Sequence, residues 1–138
     1  AVCASPKGLC FMIVNPQNLA EVYGMAQVDL STQKHSKARV AILIDAQYQK
    51  NGFCVAALQL LFDYIFNNLN IYKIYTEIME QNEPSMVAAA KAGMKYECPL
   101  EKDVYYGGKF HDVKRYRVFK HEFNKSKKVS EKVAVVGA

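Results

Sequence analysis

One short stretch of the sequence combines residue types that could bind an anion. Residues 49–55 read QKNGFCV and lie between an apolar run that ends at Asp45 and a longer apolar run that continues to Leu69. If a helix begins after Gly52, the backbone N–H groups of its first turn have no partners within the helix, and the helix dipole adds partial positive charge there. Glycine also allows a ligand to approach the main chain closely. The sequence therefore predicts a phosphate-binding turn at residues 49–55.

Seven residues are predicted to form this turn: Gln49, Lys50, Asn51, Gly52, Phe53, Cys54 and Val55. The amides from Asn51 onward are expected to face the phosphates. Two interpretations remain open for Lys50, which could add a cation beside the phosphates or extend into solvent. Two also remain open for Cys54, which could pack as a small side chain or be an oxidation-sensitive thiol beside the ligand.

Alternating and β-branched apolar segments predict six strands around this turn. The first three are expected to form an antiparallel meander, and the last two are joined by a loop that contains Gly107 and Gly108. The six strands are predicted at residues 8–14, 21–30, 38–45, 70–79, 94–98 and 113–123. The apolar residues 133–136 could add an edge strand or belong to a tail.

Two helices are predicted between these strands. Residues 55–69 are apolar on almost every side and contain no glycine or proline, which indicates a buried helix. Asn82 and Pro84 provide a capping side chain and a first-turn proline for a second helix. Gly93 is the residue at which that helix would stop.

Length, apolar runs and cysteine content limit the kinds of protein that this chain can be. The 138 residues suit one domain, predicted as a core at residues 1–123 and a basic tail at residues 124–138. No apolar run is long enough to cross a bilayer and no export signal precedes the first strand, so a cytoplasmic location is expected. The four cysteines form no Cys-x-x-Cys pair and no zinc spacing, so no metal is expected.

This order of elements, with a glycine turn at the start of the central helix, resembles the Gcn5-related N-acetyltransferase family. The acyl-CoA loop of that family has the pattern Gln/Arg-x-x-Gly-x-Gly/Ala at the same place. Gln49 and Gly52 match the pattern, and Cys54 departs from it in the last position. The resemblance implies the acyl-CoA N-acyltransferase fold, an α+β fold with a mixed, mostly antiparallel central sheet, a buried central helix and a second helix.

A second segment strengthens the resemblance. The family has Asn-x-x-Ser/Ala, then seven residues, then Gly-Phe, and the residues in those places here are Asn82, Ser85, Gly93 and Met94. The serine form and the sequence of residues 105–123 resemble the branch that includes ribosomal-protein N-terminal-amine acetyltransferases and related small-molecule acetyltransferases. The resemblance extends over about residues 8–123.

The resemblance implies a cofactor and a reaction. Acetyl-CoA would be bound by residues 49–55 together with Asn82 and Ser85, and its acetyl group would be transferred to a primary amine. That amine could belong to a protein N-terminus, an amino sugar or another small molecule. Family members begin with a strand and two helices that form much of the acceptor wall, and this chain is expected to lack them. A homo-oligomer, or a partner chain that covers the missing layer, is therefore expected.

The usual catalytic groups of the family are replaced in this chain. The glutamate base corresponds to Arg39, whose guanidinium cannot accept a proton, and the tyrosine acid corresponds to Ala89. Ser85 is a candidate acid, because a serine serves as proton donor in the branch named above. The glutamate that would partner this serine corresponds to Val104.

His111 is the second catalytic candidate. It could act as a base oriented by Asp112, while His35, Tyr105 and Tyr106 could line the acceptor site. A structural interpretation also remains open for each of them, since adjacent residues of a strand face opposite ways.

A different functional class is compatible with the same sequence. The chain carries a formal charge of +5, and nine of its 18 basic residues lie between Lys109 and Lys132. With the base and the acid replaced, the chain could be a catalytically degenerate subunit of a larger assembly. This basic segment would then contact nucleic acid, or simply form a solvated tail.

Overall fold

Seven strands and three helices form the part of the chain that the structure, a computed structural model, describes: residues 7–126 and 131–137. The strands are β1 (Gly8–Asn15), β2 (Asn18–Asp29), β3 (Lys37–Ile44), β4 (Lys73–Met79), β5 (Lys95–Tyr106), β6 (Lys109–Phe119) and β7 (Ala134–Gly137). The helices are α1 (Phe53–Asn68), α2 (Glu83–Lys91) and α3 (Lys120–Ser126). The strands form one sheet in the order β5-β6-β4-β3-β2-β1-β7, so the predicted mixed, mostly antiparallel α+β architecture is confirmed.

The meander β1–β2–β3 follows the predicted alternation. Ala26, Val28 and Val40 are buried on the face that packs against α1, whereas their neighbours Gln27 and Ala41 are exposed on the other face. Such alternation is typical of a sheet that has one face against a core.

Strands β3 and β4 are the one parallel pair of the described sheet, and they separate soon after they meet. They pair only where residues 37–39 lie beside residues 73–75. Beyond that point β3 continues along β2 to Ile44, while β4 continues along β6 to Met79. The two strands therefore leave a wedge-shaped gap whose inner edges have no neighbouring strand.

Helix α1 covers one face of the sheet and supplies the centre of the core. Phe62, Ile65 and Phe66 are at most 1% exposed, and burial of each side chain of this size stabilises the fold by about 1.5–3 kcal/mol. The prediction of a buried helix is confirmed. None of the helices in the described residues combines the length and the apolar character that a membrane span needs.

The local signals for α2 are also confirmed. The Asn82 side chain accepts a hydrogen bond from the Ser85 N–H at 3.3 Å, and Pro84 lies in the first turn. Gly93 follows the helix with φ of +104°, a conformation that favours glycine.

The last predicted strand is displaced by four residues, because β6 runs from Lys109 to Phe119 rather than over residues 113–123. It ends at Phe119 rather than at residue 123, and the chain turns into α3 because the Glu122 carboxylate accepts a hydrogen bond from the Phe119 N–H at 3.0 Å. The turn brings Phe123 against Phe62 and Phe66 at ring distances of 6.0 and 5.7 Å. Phe123 is therefore a core residue of a helix and not a strand residue.

The segment predicted as a tail contributes to the sheet. Ala134–Gly137 pairs with β1 as the edge strand β7, as the alternative interpretation of the apolar residues 133–136 predicted. Val133 is 4% exposed and belongs to the core. Residues 127–130 and 138 of the predicted tail lie outside the described residues.

Candidate active site

The gap between β3 and β4 holds a cleft of about 700 Å³. Val40, Cys54 and Leu58 contribute to its apolar side, next to α1. Its polar side comes from β4, from the start of α2 and from the tip of the β5–β6 hairpin: Glu77, Gln81, Asn82, Ser85, Tyr106 and His111. The cleft joins residues from segments that are far apart in the sequence, because the two parallel strands separate.

The predicted phosphate-binding turn lies at the start of α1. Gly52 caps the helix in the left-handed conformation, with φ of +76°, and the first helical hydrogen bond runs from the Ala56 N–H to the Gly52 carbonyl at 3.1 Å. No hydrogen bond within the described part of the chain engages the N–H groups of Phe53, Cys54 and Val55. These three amides are consequently available to an anion.

The polar side chains of the turn shape the backbone. Gln49 donates through Nε2 to the Ile44 carbonyl at 3.2 Å, and Asn51 donates through Nδ2 to the Tyr48 carbonyl at 3.0 Å. Lys50 is exposed. The side chains of Gln49 and Asn51 therefore hold the turn in place, while its amides remain accessible.

Lys132 is a residue of this turn that the sequence analysis missed. Its Nζ donates to the Asn51 carbonyl at 3.4 Å and lies 3.0 Å from the position that a Cβ would take on Gly52. The pairing of β7 with β1 delivers it there, and no spacing in the sequence indicates that approach. An ammonium group thus stands beside the amides at the start of α1.

Cys54 packs at the apolar side of the cleft. Burial raises the pKa of its thiol to about 11, so the thiol is protonated at neutral pH. Since the thiolate is the form that reacts with oxidants, the structure favours the packing interpretation over the redox interpretation.

Ser85 is half-buried at the polar side of the cleft, where its hydroxyl can meet a ligand. Asn82 lines the same side, but its Oδ1 caps α2. Ala89, at the position of the family's tyrosine, is 1% exposed in the core. Catalysis by Ser85 remains a prediction.

His111 lines the cleft as well, and both of its ring nitrogens have partners. Nε2 donates to the Tyr106 carbonyl at 2.9 Å, and Nδ1 accepts a hydrogen bond from Nε2 of Gln81. In this arrangement Nε2 carries the donated ring proton and Nδ1 is the acceptor. His111 would have to release Gln81 before it could act as a base, so its catalytic role also remains a prediction.

The predicted pair of His111 and Asp112 does not form. Asp112 instead accepts a hydrogen bond from the Lys102 N–H at 2.9 Å, because adjacent strand residues face opposite sides of the sheet. Of the proposed acceptor-site residues, Tyr106 lines the cleft, whereas Tyr105 packs against Phe110 at the exposed hairpin tip. His35 is exposed in a short 3-10 helix (Gln33–His35).

Glu77 is the second residue that the sequence analysis missed. It is the one carboxylate that lines the cleft in the described residues, and its Oε2 accepts hydrogen bonds from Nη2 and Nε of Arg115 at 2.7 and 3.3 Å. Arg39, at the position of the family's glutamate, lies on the neighbouring strand with Nη1 3.6 Å from Oε1 of Glu77. The alternation of side chains along β4 could have indicated the face of the sheet on which Glu77 lies. It could not have indicated that Glu77 lies beside Arg39.

The basic segment from Lys109 to Lys132 does not form one cationic surface in the described residues. Arg115 and Arg117 pair with carboxylates of β4 and α3. Lys114 lies on the opposite face of β6 because neighbouring strand residues alternate. Outside residues 127–130, which the structure does not describe, the predicted nucleic-acid contact has no support.

Comparisons with solved structures identify the fold. A spermidine N-acetyltransferase from Vibrio cholerae in complex with CoA and spermine matches with a TM-score of 0.79 and 23% identity, over 86% of this chain and 69% of that chain. A dodecameric structure of the Vibrio cholerae enzyme matches with a TM-score of 0.79 and 22% identity, over 90% of this chain and 71% of that chain. At these identities the likeness concerns the fold alone.

Curated sequences give a closer relationship. The spermidine N(1)-acetyltransferase of Escherichia coli K12 is 28% identical over 103 residues, which are 75% of this chain and 55% of that protein. The Vibrio cholerae enzyme of the same name is 28% identical over 89 residues, 64% of this chain and 51% of that protein. The chain thus spans about half the length of these relatives. Neither is named for ribosomal proteins, so the predicted likeness to that branch is not supported.

A family model described as an acetyltransferase (GNAT) domain matches residues 2–95. These residues contain the turn at the start of α1, the strands that border the cleft, and α2 with Asn82 and Ser85. The match covers more than half of the chain, so this chain belongs to the GNAT acetyltransferase family.

Proposed function

We propose that this chain carries the acyl-CoA-binding core of an N-acetyltransferase that transfers an acetyl group from acetyl-CoA to a primary amine. The observation that carries the proposal is the set of amides at the start of α1, which have no partner in the described residues and stand beside the cleft. Amides that have no partner within a helix can donate to the oxygens of a phosphate ligand.

The residues present fit coenzyme A. Gly52 provides a cradle without a Cβ, the amides of Phe53, Cys54 and Val55 can donate to phosphate oxygens, and Lys132 adds a cation. The inner edge of β3, beyond its pairing with β4, offers backbone groups to the amides of an extended ligand. The cleft has the volume of an ordinary cofactor site.

The cofactor would supply a thioester, and the chain's residues would position the amine and move protons. In the overall transfer a C–N bond forms and the C–S bond breaks, the amine loses a proton, and the sulfur gains one. Ser85 is the proposed donor of that proton, since its hydroxyl lines the cleft. Arg39 cannot be the base that receives the proton of the amine.

The names of the relatives favour a small polyamine over a protein N-terminus as the acceptor. The dodecameric assembly named for the Vibrio cholerae enzyme supports the association of several copies of this chain. The cytoplasmic location remains part of the proposal. No observation among the described residues favours a nucleic acid or a separate partner chain, and neither is included.

Calorimetric titration with acetyl-CoA, followed by measurement of thiol release with spermidine, an N-terminal peptide and glucosamine, tests the proposal. We expect binding of acetyl-CoA and thiol release that is fastest with spermidine. Absence of acetyl-CoA binding would overturn the proposal. Binding without thiol release from any amine would indicate the degenerate, cofactor-holding alternative.

A further inference from the structure

Glu77 and Arg39 face each other where the parallel strands separate. Arg39 lies beside Tyr75 in the last paired position of β3 and β4, and Glu77 is the next residue of β4 on that face. This face is opposite to the one that α1 covers, where Val40 and Ile78 are buried. Glu77 therefore reaches the cleft from the side opposite to the phosphate-binding turn.

The two oxygens of Glu77 have different environments. Oε2 receives two hydrogen bonds from Arg115, whereas Oε1 lies 3.6 Å from Nη1 of Arg39, too far for a hydrogen bond. Burial acts to lower the pKa of Arg115, but the hydrogen bond and charge of Glu77 outweigh it and raise that pKa. The charged guanidinium of Arg115 thus remains hydrogen-bonded to Oε2, while Oε1 can still accept a hydrogen bond from a ligand.

Arg39 is a weak partner that a ligand can displace. Its side chain is 48% exposed, and an ion pair of this exposure contributes little to stability. When Arg39 moves away, two carboxylates, Glu77 and Glu97, remain opposite two cations, Arg115 and Lys73. These four groups are neutral together, so an ammonium group that takes the place of Arg39 leaves the local charge as it is in the free protein.

We propose that Glu77 is the specificity-determining carboxylate for the acceptor, and that it binds a non-reacting ammonium group of a diamine in the place that Arg39 takes in the free protein. This inference rests on the proposed function and assigns a residue of the acceptor side of the same site. A carboxylate held by Arg115 favours a protonated partner, so the amine that Glu77 holds is not the one that attacks the thioester.

Titration of the coenzyme-free protein with 1,4-diaminobutane and with 1-aminobutane tests the inference. The wild-type protein should bind the diamine more tightly. Glu77→Gln should weaken diamine binding at least about tenfold and remove the preference for the diamine. Arg39→Gln should tighten diamine binding several-fold, because it removes the competing cation. Glu101→Gln is the control, since Glu101 is an exposed carboxylate that does not line the cleft, and it should leave diamine binding unchanged.

Each result has a definite meaning. Diamine binding by Glu77→Gln that equals the wild type, or weaker binding by Arg39→Gln, would overturn the inference. A parallel titration of every variant with acetyl-CoA should give the wild-type affinity. If acetyl-CoA binds neither the wild type nor any variant, the proposed function is wrong, whereas the diamine titrations still report on Glu77.

Discussion

Cys54 illustrates how environment decides the role of a single residue. It is the second residue of α1, where the helix dipole would lower the pKa of a thiol. It also replaces the glycine or alanine of the family pattern. Burial prevails and raises its pKa to about 11. The side chain therefore acts as a small apolar group at the wall of the cleft.

Alkylation of Cys54 by iodoacetamide should be slow at pH 8, because fewer than about 1% of its thiols are ionised there. The rate for the Cys54 peptide, measured by mass spectrometry, should rise with pH up to about 11. A rate at pH 8 equal to that of free cysteine would contradict the assigned burial. Glutathione in the same solution provides the reference thiol.

At the scale of elements, α3 depends on the carboxylate of Glu122. Burial acts to raise the pKa of this group, but the Phe119 N–H and the charges of Lys95 and Arg117 outweigh burial and lower it. A carboxyl whose pKa is lower in the folded state stabilises that state above its unfolded value of about 4.5, and this contribution is lost as the pH falls through the folded value.

Glu122→Gln should lower the free energy of unfolding at pH 7 and should lose less stability than the wild type when the pH falls from 5 to 3. Urea denaturation at several pH values measures both effects. The exposed Glu101 provides the control, and Glu101→Gln should follow the wild-type pH dependence. An unchanged slope in Glu122→Gln would show that this carboxylate does not link α3 to pH.

At the scale of the whole molecule, the C-terminal strand closes on the phosphate-binding turn. Pairing of β7 with β1 and burial of Val133 hold Lys132 beside Asn51 and Gly52. Two segments about 80 residues apart in the sequence thus meet at the proposed anion site.

Lys132→Gln should weaken the binding of acetyl-CoA several-fold, and the difference from the wild type should shrink at high salt because the lost contact is electrostatic. Calorimetry at low and high sodium chloride measures the effect. Lys34→Gln, which removes an exposed lysine from the short 3-10 helix, should bind acetyl-CoA like the wild type. Equal affinity of Lys132→Gln and the wild type would place Lys132 outside the cofactor site.

Local signals explain which features could be predicted from the sequence. The buried α1, the turn at Gly52 and the Asn82 cap depend on residues a few positions apart, and each was predicted correctly. The approach of Lys132 to the turn and of Glu77 to Arg39 depends on strand pairing between distant segments. No periodicity within either segment contains that information.

The end of β6 was predicted wrongly for a related reason. The alternation of polar and apolar residues continues through Phe123, but the hydrogen bond from the Phe119 N–H to Glu122 outweighs this strand pattern. His111 lines the cleft, and its pairing with Gln81 and Tyr106 requires the hairpin to fold back over the loop before α2.

The central claim is that the backbone at the start of α1 binds the diphosphate of acetyl-CoA, and calorimetric titration of two glycine variants tests it directly. Gly52→Val should raise the Kd for acetyl-CoA at least about tenfold, because a β-branched residue strains the left-handed turn and its Cβ crowds Nζ of Lys132. Gly93→Val, which strains a second positive-φ glycine at the end of α2, should retain wild-type affinity. Acetyl-CoA binding by Gly52→Val that matches the wild type would contradict the account.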